Sequence, residues 1–313
     1  TCYREGNFNQ TCLNKKISNS QFPKLTDITW GGTHKTNRLD RIGQGLPLEV
    51  LVNLINALDI HPWMVIPHNA DDDYIIALAR ALDRVSPHLT TYVEYSNETW
   101  NGTYLAHHYL KLKTDNSDKY GLAKAYVRET TRVHNLWRKT ANKPFKRVIS
   151  GYQGDPSLSK VLLENGVFDI LAIGGYYYGC FKVNNVCKEQ DLLTNETTVE
   201  NIVRRLRDVN NPYGVPALYA LWDKHNKIAK ANNTILAIYE GGPHLTINWS
   251  SDKVKDLHQL DLYRQTINSP YMYKLSTEVM NHWYSHYNGP FLFFTGPEGE
   301  HKYWVGTFTP SIF

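Results

Sequence analysis

Residues 92–104 read YVEYSNETWNGTY. The run Thr91–Tyr95 is rich in aromatic and β-branched side chains and reads as a strand. Directly after it comes the pair Asn97-Glu98. The same stretch holds two sugar-acceptor triplets, Asn97-Glu98-Thr99 and Asn101-Gly102-Thr103. It is either a loop that carries sugar or a strand end that cuts it. The sequence on either side decides between the two.

Outward from this strand, short β-rich runs alternate with longer helical stretches. Further strands are expected at Leu25–Trp30, Trp63–Pro67, Arg147–Ser150, Phe168–Ile173, Thr234–Tyr239 and Pro290–Phe294. Helical spacing covers Leu48–Leu58, Asp72–Val85, a long region up to about Thr140, Ser157–Leu163, Val199–Val209, Ala217–Lys230 and most of Asp252–Tyr287. This alternation is the pattern of a parallel α/β fold. It predicts a (β/α)8 TIM barrel with one strand unaccounted for. No linker divides the chain, so residues 1–313 read as one domain. Thr1–Asn19 is polar and makes a poor strand, and an open barrel would expose a sheet edge. The first strand is therefore expected from a preceding segment outside this chain, retained as a second chain from the same precursor. Tyr176–Glu196 reads as an elaborated loop after a strand.

Composition narrows the class. Of 313 residues, 42% are hydrophobic and 20% charged, which is ordinary for a globular protein. The net charge of +4 is small and unclustered, which argues against nucleic acid as a partner. No apolar run approaches the length of a membrane span. The cysteines fall into two close pairs, Cys2 with Cys12 and Cys180 with Cys187, without the spacing of a zinc or redox site. Short-loop disulfides and an oxidising compartment follow. Further sequons at Asn9, Asn195, Asn232 and Asn248 agree with a secreted glycoprotein. The 21 Tyr and 8 Trp suit sugar platforms, but they suit cores equally well.

In such barrels chemistry gathers at the C-terminal ends of the strands. Two strand ends carry a Glu: Glu98 after TYVEYSN and Glu240 after TILAIY. If the last strand is the eighth, these strands are the fourth and the seventh, and both carboxylates can point into one cleft. On these residues the chain resembles the clan A glycoside hydrolases. Those enzymes carry their acid/base in an Asn-Glu pair ending strand four and their nucleophile as a Glu ending strand seven. The stretches IPHNADDDYI, YVEYSNETWNG and AIYEGG are also similar to a group of largely uncharacterised bacterial barrel proteins. The resemblance spans roughly Leu25–Phe294. It departs from the clan at Trp30-Gly31-Gly32, where an Arg is usual, and at Phe293-Phe294-Thr295, where a Trp is common.

The resemblance implies a retaining mechanism, with the two carboxyls about 5–5.5 Å apart. Glu240 would attack the anomeric carbon. Glu98 would protonate the leaving oxygen and then activate water. Glu98 must then hold its proton at working pH, most simply because a negative neighbour stands beside it. Asn97 would bond the sugar 2-hydroxyl. Tyr176 or Tyr177 would donate to Glu240, and His68 and Trp30 would line the pocket. Trp100, His244 and Trp249 are candidate cleft walls. No cofactor or metal is implied.

Each residue also has a plainer reading. His68 serves equally as a cap for the helix that follows, and the tryptophans as core or rim. Asp71, Asp72 and Asp73 suit a helix N-terminus without a metal. Glu94 competes with Glu98 inside the barrel but sits mid-strand. If hydrolysis holds, Asn97 is unmodified and Asn101 is the better acceptor. The rival reading is an inactive barrel that binds carbohydrate or serves as a structural extracellular glycoprotein, and a weaker third is a lyase or transglycosylase.

Overall fold

A computed structural model describes residues 3–4, 7–8, 16, 48–114, 118–178, 182–183, 186–187, 197–245 and 257–294. The expected strand Leu25–Trp30 lies outside them, as do Trp30, Trp249, Cys2, Cys12, Cys180, Asn9, Asn195 and Asn248. Two short antiparallel pairs stand apart from the main strands: β1 (Tyr3–Arg4) with β2 (Asn7–Phe8), and β7 (Lys182–Val183) with β8 (Val186–Cys187). The rest is α/β, and it divides into two compact units, residues 1–151 with 157–170, and residues 152–156 with 171–313.

The first unit is built on three parallel strands in the order β3 (Trp63–Ile66), β4 (Thr91–Tyr95) and β5 (Phe145–Ser150). Helix α1 (Leu48–Leu58) precedes β3, and α2 (Asp72–Leu82) links β3 to β4. Between β4 and β5 come α3 (Leu105–Lys111) and α4 (Gly121–Thr140). Asp71 starts α2: its Oδ1 accepts from the Tyr74 N–H at 2.9 Å, while Asp72 and Asp73 sit in the positive first turn. Asp71–Asp73 are thus explained by the helix.

Side chains alternate across each strand, so β4 has two different faces. Val93 and Tyr95 are fully buried, and the Tyr95 ring packs against Tyr126 of α4 at 6.2 Å. His134 of α4 donates from Nε2 to the Val93 carbonyl at 2.9 Å. Tyr92 and Glu94 point the other way. Tyr92 stacks on Trp63 at 5.3 Å, and Glu94 bonds to Trp63 and Ser150 on the flanking strands. The expected long helix before Thr140 is two helices. Asp118 marks the restart, accepting on Oδ1 from the Tyr120 N–H at 2.9 Å. Helix α5 (Pro156–Glu164) closes the unit after β5.

The second unit carries β6 (Ile170–Tyr178, from Leu171 onward), β9 (Ile235–His244) and β10 (Phe291–Phe293) as neighbours in that order, with β9 and β10 parallel. Helices α6 (Val199–Leu206) and α7 (Val215–Ala231) lead to β9, and α8 (Leu257–Ile267) and α9 (Pro270–His286) lead to β10. A capping box of Thr198 and Asn201 opens α6, and Ser269 with Pro270 opens α9. That last break splits the expected Asp252–Tyr287 helix in two. The core is aromatic. Trp222 meets Trp283 edge-on at 5.0 Å, and both meet Phe291 edge-on, at 6.0 and 5.6 Å.

Strands β6 and β9 run further than their apolar cores suggest, straight through Gly174-Gly175 and Gly241-Gly242. The reason is a close approach. A Cβ at Gly241 would sit 2.8 Å from the Gly175 carbonyl oxygen, so only glycine lets the two backbones meet there. Gly242 has φ 127° and tolerates no side chain without strain.

Candidate active site

The backbone after β4 is unusual. Ser96 has φ 60° and Glu98 has φ 45°, so two non-glycine residues adopt left-handed conformations on either side of Asn97. The turn is held in place. The Ser96 N–H donates to the Ile66 carbonyl at 2.7 Å, and the Asn101 N–H donates to the Glu98 carbonyl at 2.8 Å. Glu98 is 9% exposed, and its Oε2 accepts from Asn101 Nδ2 at 2.9 Å. Asn101 Oδ1 accepts from the Thr103 N–H at 3.0 Å. The amide nitrogen that would carry a glycan at Asn101 is therefore the donor that holds Glu98. Asn97 and Trp100 are half-buried beside it.

Two histidines that the sequence reading did not single out brace this loop. His107 Nδ1 bonds the Thr99 carbonyl at 3.1 Å, and His108 Nε2 bonds the Gly102 carbonyl at 2.8 Å. Their signal was present in the adjacent pair His107-His108 at the start of α3.

His68 follows β3, and its carbonyl accepts from the Tyr95 hydroxyl at 2.8 Å. Its ring lies 5.2 Å from that of Tyr109. Burial lowers its pKa to about 4, so the ring is neutral at physiological pH. The helix cap is Asp71, not His68.

Glu94 is the buried carboxyl of β4. It is 1% exposed; Trp63 Nε1 donates to its Oε2 at 2.7 Å, and the Ser150 hydroxyl meets its Oε1. Burial pushes its pKa up to about 7. The bonds from Ser150 and Trp63 pull the other way, and the Glu98 charge adds to the rise.

In the second unit, Glu240 lies inside β9 and is half-buried. Phe291 stands opposite Ile238 but Phe293 stands opposite Gly241, so β9 spends one extra residue between them. That bulge interrupts the alternation at Tyr239 and Glu240. Without it, Glu240 would share the face of Ile238, whose partner Phe291 packs on Trp222.

The two tyrosines after β6's glycines go separate ways. Tyr177 is fully buried, and its hydroxyl pairs with Ser276 Oγ of α9 at 3.0 Å. It belongs to the helix-side packing rather than to a substrate pocket. Tyr176 meets His244 edge-on at 5.4 Å, and its backbone is clamped by Gln153 through two bonds of 2.8 Å. Burial lowers the His244 pKa to about 4. Asn232 caps the end of α7, its Nδ2 donating to the Ile228 carbonyl at 2.9 Å.

A cavity of about 580 Å³ in the first unit opens at the start of α2 and is lined by Asn69, Asp72, Tyr109, Lys113, Glu129 and Arg132 among others. Four of its charged side chains pair with one another: Arg132 with Asp72 at 2.7 Å and Glu129 at 3.1 Å, and Lys113 with Glu129 at 2.7 Å. Glu98 does not line it. Among the described residues no group of three or more His, Cys, Asp or Glu could hold a metal ion, and no helix is long and apolar enough to cross a membrane.

No family model matches the chain, and no curated protein matches it. Among solved structures it is similar to the GH51 arabinofuranosidase from Xanthomonas axonopodis pv. citri, at 12% identity and a TM-score of 0.49. That likeness covers 79% of this chain and 48% of the other, so the chain spans about half the length of the structure it matches. The residues described above, rather than this distant likeness, carry the functional reading.

Proposed function

We propose that the protein is a secreted retaining glycoside hydrolase that cleaves a β-linked poly- or oligosaccharide within a (β/α)8 barrel. The observation that carries the reading is the end of β4. There a nearly buried carboxyl, Glu98, stands on a strained turn and is held by the Asn101 amide. Strain of this kind persists only where surrounding bonds over-determine it, and it concentrates at functional sites.

In this reading Glu240 attacks the anomeric carbon while Glu98 gives its proton to the leaving oxygen, and a covalent glycosyl-enzyme forms. Glu98, now ionised, takes a proton from water. The resulting hydroxide-like oxygen attacks the same carbon and releases Glu240. Asn97 bonds the sugar 2-hydroxyl, and neutral His68, Trp100, Tyr176 and His244 shape the pocket. Asn101 acts as a positioning residue and stays unglycosylated, because a sugar on Nδ2 would displace its bond to Glu98.

The test is turnover of aryl β-glycosides by the native protein and by Glu240→Ala. Loss of at least about 10³-fold in kcat, with partial rescue by azide as an external nucleophile, is the expected outcome. Native turnover that Glu240→Ala leaves intact would remove Glu240 from the mechanism. The non-catalytic carbohydrate-binding reading is favoured by one specific feature, the absence of the usual Arg at Trp30-Gly31-Gly32. Glycan binding without hydrolysis across a broad panel would establish it.

A further inference from the structure

Gln153 is a polar side chain that the double displacement does not use. It follows β5 in the chain and belongs to the second unit. It takes the second position of a turn, in which the Asp155 N–H donates to the Tyr152 carbonyl at 3.0 Å. Its side-chain amide lies along β6. Nε2 donates to the Tyr176 carbonyl at 2.8 Å, and Oε1 accepts from the Tyr176 N–H at 2.8 Å. One amide thus serves both backbone groups of one residue, as a neighbouring strand would.

Two neighbours keep Gln153 in this pose. His225 of α7, a fully buried ring, donates from Nε2 to the Gln153 carbonyl at 3.0 Å. Gly174 supplies the space: a Cβ there would stand 3.1 Å from Gln153 Oε1 and 3.7 Å from the Tyr176 ring. Tyr176 shares that face of β6, while the Tyr177 hydroxyl pairs with Ser276 of α9 on the other. The Tyr176 ring is 8% exposed and stands edge-on to His244 at 5.4 Å and to Phe294 at 6.4 Å. Backbone groups robbed of the amide would turn toward water, and the ring would swing with them.

We propose that Gln153 is a positioning residue: by standing in for a strand beside β6, it fixes the Tyr176 ring against His244. The effect on turnover rests on the hydrolase reading, but the placement of the ring does not.

The test compares the native protein with Gln153→Met, which keeps the length of the side chain and removes both bonds. Two readouts need no substrate. Hydrogen exchange at the Tyr176 amide, followed by NMR, is expected to quicken at least about tenfold. The Ile238 amide, which donates to the Pro290 carbonyl at 3.0 Å, keeps its protection. The ring protons of His244 shift as the Tyr176 ring leaves. The third readout is turnover of an aryl β-glycoside. Gln153→Met lowers kcat/KM by about tenfold, and lowers it no further when added to Tyr176→Ala. A purely structural role would lower activity alike in both backgrounds. Should Gln153→Met fail to fold, Gly174→Ala crowds the same oxygen and gives the same changes in smaller degree. An unchanged Tyr176 amide or an unmoved His244 signal overturns the proposal. So does turnover that Gln153→Met leaves intact, or a loss that persists in the Tyr176→Ala background. A native protein that turns over no glycoside, with the His244 signal shifted in Gln153→Met, sinks the hydrolase reading and upholds the placement.

Discussion

Ser96 and Glu98 hold their left-handed backbone against a cost of about 1–2 kcal/mol each, since a Cβ crowds the carbonyl in that region. Glycine has no such cost. Ser96→Gly is therefore expected to raise stability by up to about 1 kcal/mol, less the extra freedom it gives the unfolded chain. In the hydrolase reading it also loosens the Asn97-Glu98 presentation and lowers kcat. Thermal unfolding and initial rates on one aryl glycoside check both halves. An unchanged melting temperature would show that the turn is relaxed. At this scale the sequence was half legible. Asn97 and Glu98 were visible from their place after a strand. The burial of Glu94 was not, because its two partners are 31 and 56 residues away and only the pairing of β3, β4 and β5 brings them in.

Among the elements, β6 and β9 hold the most consequential contact of the second unit. Gly241→Ala drives a methyl group to within 2.8 Å of the Gly175 carbonyl oxygen, and neither backbone has room to yield. A loss of about 1–3 kcal/mol is expected and, in the hydrolase reading, a larger proportional loss of kcat, because Glu240 is the adjacent residue. Ala tolerated at Gly241 without a shift in the denaturation midpoint would contradict the close approach. Glycine pairs read in a sequence as strand breakers, which is why Phe168–Ile173 and Thr234–Tyr239 were expected to stop where β6 and β9 continue. The interior of each strand was legible from its branched and aromatic run. The facing of one glycine pair against the other depends on tertiary pairing that no local pattern encodes. Helix interiors were legible in the same way, and the breaks at Asp118 and at Ser269-Pro270 show where a cap overrides continuous periodicity.

For the whole molecule, titration gives the clearest expectation. Burial holds His68, His134 and His244 near 4 in the folded chain, below their ordinary value of 6.5. Between those values the unfolded chain binds protons that the folded chain refuses, so stability falls as pH drops from 6.5 to 4. Glu94 acts in the opposite sense. Its folded pKa is raised from 4.5 to about 7, so its contribution is full below 4.5 and is lost as pH rises through 7. Three groups against one leave a net loss on acidification. Each group contributes at most about 1.4 kcal/mol per pH unit. Urea unfolding at pH 6.5 and 4.5 should differ by at least about 2 kcal/mol in favour of pH 6.5. Equal stability at the two values would mean that these rings are hydrated. The α/β class was legible from the alternation of runs. Closure into eight strands was an expectation drawn from the same alternation, and the strand Leu25–Trp30 on which it leans lies outside the described residues.

The extra residue in β9 has one last implication. A chain lacking Gly241 would set Glu240 opposite Phe293 and pair evenly with β10, a tidier ribbon than the natural one. Its acidic side chain would then be rotated toward Phe291 and Trp222, an oily wall where it could not remain charged. In the hydrolase reading, a deletion that evens the ladder should thus silence the protein, because the phase error keeps Glu240 off that wall.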